Sequence, residues 1–118
     1  MIPHGVEIFL SLDPVDMRWS FDRLAGIVED RVGRNARCGA LFVFLGKRKT
    51  AVKVLFFDGT GLCIFYKRLD KKTFRLPALL DEHSSTVVIE ESALDDLLDG
   101  LDLEKATPRR RKKSLSLH

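Results

Sequence analysis

The carboxylates and basic side chains of this 118-residue chain are its candidates for chemistry. Phosphodiester cleavage by metal ions needs two or more carboxylates converging on Mg²⁺, often with a lysine nearby. Asp58 with Lys53 and Lys67, joined by Asp16 or Asp22, can be drawn into such a constellation. Simpler roles account for the same residues: Asp16 at a helix dipole, Asp58 in a turn and Asp22 on a solvated helix face. His4, His83 and His118 are isolated, and neither Cys38 nor Cys63 has a ligand partner at zinc-like spacing. No Gly-x-Ser-x-Gly elbow or Cys/His grouping is present. The run Asp58 to Gly61 has two glycines but no following Gly-Lys-Ser/Thr, so it does not read as a phosphate cradle. The expectation is a protein that is not an enzyme, with no metal and no cofactor.

The basic residues carry a stronger signal. The net charge of +3 conceals a segregated chain: −4 over residues 1–30, +10 over 31–75, −9 over 76–104 and +6 over 105–118. Such segregation creates strong local fields despite a modest total. Lys47, Arg48 and Lys49 fall together at one hairpin tip, and Lys53 lies on the next strand. Lys67 and Arg68 end a further strand, followed at once by Lys71, Lys72 and Arg75. In a meander, the tip and the Lys67 to Arg75 stretch fall at the same edge of the sheet. One surface there would attract phosphates by Coulomb forces and counterion release. The alternative is a solvated face that balances the acidic segment of the same molecule. Arg109, Arg110, Arg111, Lys112 and Lys113 add five consecutive cations on a tail, where they would supply sequence-independent affinity or remain idle.

The elements that would position these residues follow from periodicity. Val6 to Leu12 reads as a short strand. Asp13-Pro14 reads as a helix start, with Asp as N-cap and Pro at the first helical position. Met17, Phe21, Leu24 and Val28 recur at helical spacing, widened by Ala25 and Val32, and Gly33 is placed to end the helix. Leu41 to Leu45, Val52 to Phe57 and Leu62 to Tyr66 are apolar runs joined by Gly-containing loops, which predicts an antiparallel meander. These runs are too apolar for a solvated face, so both faces of the sheet need cover. Phe74 to Leu76 predicts a short extended piece, Thr86 to Ile89 a strand, and Glu90 to Leu98 an acidic helix ending near Gly100.

The fold class predicted is α+β: a small antiparallel β-meander packed against one long N-terminal helix, with a short acidic C-terminal helix. Residues 1–104 form a single domain, and 105–118 a basic tail without periodicity, disordered in isolation. A chain of this size can bury about two thirds of its unfolded surface, enough for one core. The start of the chain lacks a signal-like pattern and no apolar run reaches membrane-spanning length, so a cytoplasmic protein with reduced cysteines and no membrane partner is expected.

Several blocks together resemble a known family. Pro14-Val15-Asp16-Met17-Arg18 with Ser20-Phe21-Asp22 and Leu24 is similar to the opening signature of the TnpB accessory proteins of the bacterial insertion-sequence family numbered sixty-six. These share only a name with the RNA-guided nucleases also called TnpB. A second block comprises Leu41-Phe42-Val43-Phe44, Val52-Lys53-Val54-Leu55, Asp58-Gly59, Gly61-Leu62 and Tyr66-Lys67-Arg68-Leu69, closing with Phe74 and Pro77. A third, weaker block is Leu94, Leu97-Leu98 and Gly100. The resemblance spans roughly residues 2–102, and Trp19 departs from it where a small or basic residue is expected. It implies a non-catalytic accessory role in DNA transposition beside an element-encoded transposase, with no catalytic residues to carry over. Asp16, Arg18, Asp22 and Asp58 are polar positions that a fold alone does not demand, and Arg18 and Asp22, four apart, would face the same way on a helix. They are candidates for a partner surface. An adaptor that bridges transposase subunits without touching DNA is the rival of a DNA-binding role. Self-association into a homo-oligomer is compatible with either.

Overall fold

The computed structural model describes residues 5–75 and 85–100. Its element order is β1 (Ile8–Ser11), α1 (Phe21–Ile27), a π-helical turn (Val28–Val32), β2 (Leu41–Leu45), β3 (Ala51–Phe57), β4 (Leu62–Arg68), β5 (Thr86–Ile89) and α2 (Glu91–Leu98). The strands form one sheet in the order β4-β3-β2-β1-β5. The predicted meander is present as β2-β3-β4, with antiparallel pairing throughout. It is part of a mixed sheet, however, because β1 pairs parallel to β2 and antiparallel to β5. A parallel pair needs a crossover, and α1 with its π-helical turn provides it.

The long N-terminal helix predicted from Asp13-Pro14 is corrected. The helix begins only after Ser20, whose extended backbone (φ −118°, ψ −152°) is its N-cap. The local capping signal at Asp13-Pro14 loses to the sheet. The Val15 N–H donates to the Leu45 carbonyl at 3.0 Å, and Val15 bridges Gly46 in parallel fashion. Val15 is buried there, which fixes the chain beside the end of β2. At the other end the expectation holds: Gly33, at φ +72°, closes the helix in the left-handed conformation that glycine adopts without a Cβ penalty.

Strand alternation sorts the side chains into two cores. On one face Phe9, Phe42, Phe44 and Leu55 pack with Leu24, Ile27 and Val28 of the α1 segment. On the other, Leu10, Val43, Val52 and Val54 pack with Leu94, Leu97 and Leu98 of α2 and with Phe74. The cover needed for the second face is thus α2. The apolar residues of its sequence sit against the sheet while Glu90, Asp95 and Asp99 stay exposed. Among the described residues no helix is long and apolar enough to cross a membrane. The tail 105–118 and Pro77 lie outside the described residues.

Candidate nucleic-acid interface

The β2–β3 turn is closed by hydrogen bonds from the Gly46 N–H to the Ala51 carbonyl (3.1 Å) and from the Lys49 N–H to the Gly46 carbonyl (3.0 Å). This turn presents Lys47, Arg48 and Lys49 to solvent. The chain leaving β4 then returns to the same turn. The Leu69 N–H donates to the Thr50 carbonyl at 2.9 Å, and the Phe74 N–H donates to the Lys49 carbonyl at 2.7 Å. Phe74, buried in the α2-side core, anchors this return. Two basic stretches twenty residues apart in sequence are thereby stitched into one edge carrying exposed Lys47, Arg48, Lys49, Arg68, Lys71, Lys72 and Arg75.

Backbone conformation marks the same edge. Two described non-glycine residues have positive φ, and both are lysines of this edge: Lys49 at +58° and Lys72 at +68°. The left-handed region costs an ordinary L-residue about 1 kcal/mol, which glycine avoids and asparagine reduces. Positive charge is kept at two sites where the backbone favours another residue type.

Two of the sequence-predicted cations do not join that edge. Lys53 is only 8% exposed, on the α1 face of the sheet. Its Nζ donates to the Trp19 carbonyl at 2.7 Å and lies 5.0 Å from the centre of the Tyr66 ring. Lys67 faces the α2 side, where its Nζ donates to the Leu98 carbonyl at 2.7 Å. That carbonyl is one of the four at a helix C-terminus without an intrahelical partner. α2 has no basic residue in its own last turn, so a lysine from β4 supplies the cation its C-terminal dipole favours. Lys67 and Arg68 therefore point to opposite faces, as strand alternation requires.

The acidic candidates also separate. Asp16 lies before the helix, not in its first turn. It accepts from the Arg18 backbone N–H (2.8 Å) and pairs with the guanidinium at 2.6 Å. The Arg18 hydrogen bonds lower its pKa to about 2, and the carboxylate in turn raises that of Arg18. The expected helical pairing of Arg18 with Asp22 is thus replaced by a local turn, because Arg18 precedes the helix. Asp22 is exposed in the first turn of α1. Asp58 caps the β3–β4 turn, its Oδ1 accepting from the Thr60 N–H (2.8 Å), the Thr60 hydroxyl (2.9 Å) and the Gly61 N–H (2.9 Å). These bonds hold its pKa near 2.

A metal-binding constellation is not assembled from these groups. Asp16 lies near the start of β3 and Asp58 at its end. Seven residues at about 3.3 Å each put roughly 20 Å between them. Among the described residues, no group of three or more His, Cys, Asp or Glu side chains is placed to hold a metal ion.

A cleft at this end of the sheet is not legible in the sequence. About 460 Å³ in volume, it opens between Val15, Asp16 and Met17 on one side and Lys47, Arg48 and Thr50 on the other. Gly46 forms its floor by close approach, since a Cβ there would meet the Met17 Cγ at 3.0 Å. The clue in the sequence is the Pro14 to Arg18 block, whose course beside the end of β2 only the Val15 bridge to Gly46 reveals. Arg109 to Lys113 lie outside the described residues.

The family described as IS66 Orf2 like protein matches residues 6–108. An uncharacterized protein of Sinorhizobium fredii, y4hO, is 36% identical over 104 residues, covering 86% of this chain and 88% of the relative. A second from the same organism, y4jC, is 30% identical over 77 residues, covering 65% and 66%. No solved structure matches. The chain belongs to the IS66 Orf2-like family, the accessory proteins of IS66 insertion elements.

Proposed function

We propose that this protein assists its element's transposase by binding DNA phosphates along the edge formed by Lys47, Arg48, Lys49, Arg68, Lys71, Lys72 and Arg75. The observation that carries the reading is the pair of backbone hydrogen bonds from Leu69 and Phe74 to the β2–β3 turn. They gather cations from two stretches onto one exposed surface. The left-handed lysines support it, because charge is retained there against backbone preference. Binding of this type is electrostatic and largely independent of sequence, with dissociation constants around 10⁻⁴ to 10⁻⁶ M at physiological salt. The tail cations Arg109 to Lys113 add to it.

A salt series with duplex DNA tests the reading. Each phosphate contact contributes a slope of about −0.9 in log K against log salt. Replacing Arg68, Lys71 and Lys72 together with alanine should flatten the slope by roughly two to three units. An unchanged slope would remove the edge from the interface. Transposase bridging without DNA contact is the other reading, and co-purification that survives nuclease treatment would favour it.

A further inference from the structure

We infer that a second surface, on the α1 face beside the basic edge, stacks the bases of single-stranded DNA; this rests on the DNA-binding reading above. Aromatic rings and cations alternate there. Trp19 is half-buried and carries the Arg23 guanidinium 4.4 Å above its ring centre. Tyr66 is 52% exposed on the edge strand β4, with Lys53 Nζ 5.0 Å from its ring. That same Nζ holds the Trp19 carbonyl, so one lysine brings the Trp19 backbone and the Tyr66 ring together. Phe21, two residues on, is 43% exposed at the start of α1, which packs over β3 and β4.

Trp19 packs in part against the α1-side core, but a core role does not account for Phe21 and Tyr66. Phe21 sits on the stripe that continues through Leu24 and Val28, yet those two are fully buried while Phe21 stays exposed. Tyr66 pairs with Lys53 in the β3–β4 register, where an apolar neighbour would have allowed burial. Every base has a face that stacks on an aromatic ring, and the exposed Arg23 and Arg68 beside the rings suit the phosphates between bases. Tyr66 and Arg68 are two apart on one strand and share a face. Arg68 in turn registers with Ala51 beside the basic turn. The stacking surface is thus continuous with the phosphate-binding edge, and a strand crossing both would engage bases and backbone together. Asp22 is exposed beside Phe21, and Asp70 is exposed two residues after Arg68.

Trp19 is the sole tryptophan, so its emission reports on this surface in the intact protein. The experiment titrates the full chain with a single-stranded oligothymidine and with a duplex of equal length. Saturable quenching by the single strand is expected. Tyr66→Ala should weaken single-strand binding by roughly tenfold and leave duplex binding unchanged, while Tyr66→Phe retains the parent affinity. Equal losses on both DNA forms, or no loss on either, would overturn the inference. So would unchanged single-strand affinity accompanied by lost capture of the transposase, which would make this a protein interface. Duplex binding along the basic edge without single-strand preference sinks this inference alone; absence of binding to either form sinks the DNA-binding reading as well.

Discussion

Lys67 and Arg68 are adjacent cations with opposite expected roles, which makes them a direct test of the structure. Lys67 Nζ donates to the Leu98 carbonyl at 2.7 Å, at the end of a helix rich in acidic residues. A hydrogen bond to a charged donor contributes about 1.5–3 kcal/mol, and partial solvent exposure of Lys67 reduces this to about 1–2 kcal/mol. Lys67→Met keeps most of the aliphatic stem and removes the donor, so the loss reports on the bond more than on packing. For a domain of about this size, that loss lowers Tm by roughly 5 °C or more. Arg68→Ala removes an exposed side chain and should change stability by no more than about 0.5 kcal/mol. The assay pairs thermal unfolding with the salt dependence of duplex DNA binding for both variants. Lys67→Met should melt early with an unchanged salt slope, and Arg68→Ala should melt normally with a slope shallower by about 0.9. A Lys67→Met protein that melts like the parent and flattens the slope as Arg68→Ala does would overturn this assignment of roles.

Leu94→Ala, at a fully buried position between α2 and the sheet, should cost about 2–5 kcal/mol in denaturant unfolding. Lys49→Gly relieves a left-handed lysine and should raise stability by about 1 kcal/mol or less while weakening DNA binding. Gly46→Ala forces its Cβ against Met17 and should cost about 1–3 kcal/mol, with much of the loss recovered in a Met17→Ala background by double-mutant analysis. Asp58 has a folded pKa of about 2 against an ordinary 3.8, so the folded state binds fewer protons than the unfolded chain. Its stabilisation is complete above about pH 4 and is lost as pH falls towards 2. Asp58→Asn should therefore flatten the fall of Tm over that range.

Much of the fold was legible because apolar periodicity reports burial directly. The runs Leu41 to Leu45 and Leu62 to Tyr66 marked β2 and β4 nearly to the residue, and Thr86 to Ile89 marked β5. Gly33 ended its helix as its conformational freedom predicts. The helix start was misread because Asp13-Pro14 is a purely local signal. Val15 could gain more by burial against Gly46 and a bond to Leu45 than by opening a helix, and neither partner is visible in the local sequence. The parallel pairing of β1 was hidden for a related reason. A short buried strand does not state which neighbour it takes.

The candidate site shows why a run of cations in a sequence is not yet a surface. Lys67 and Arg68 read as the centre of one patch, but a strand alternates its faces, so adjacency in sequence separates them in space. Residues beyond a strand's end escape that alternation. Lys47 to Lys49 and Lys71 to Arg75 lie in turns, and backbone bonds from Leu69 and Phe74 bring them to one edge. The two cations that leave the patch still act within the fold. Lys67 secures the helix that covers one face, and Lys53, on the other face, ties the Trp19 stretch to the sheet beneath Tyr66. Cations that hold the fold leave the basic edge to Arg68 at the end of β4 and to those beyond the strands, where charge is exposed and two lysines adopt a backbone conformation that favours glycine.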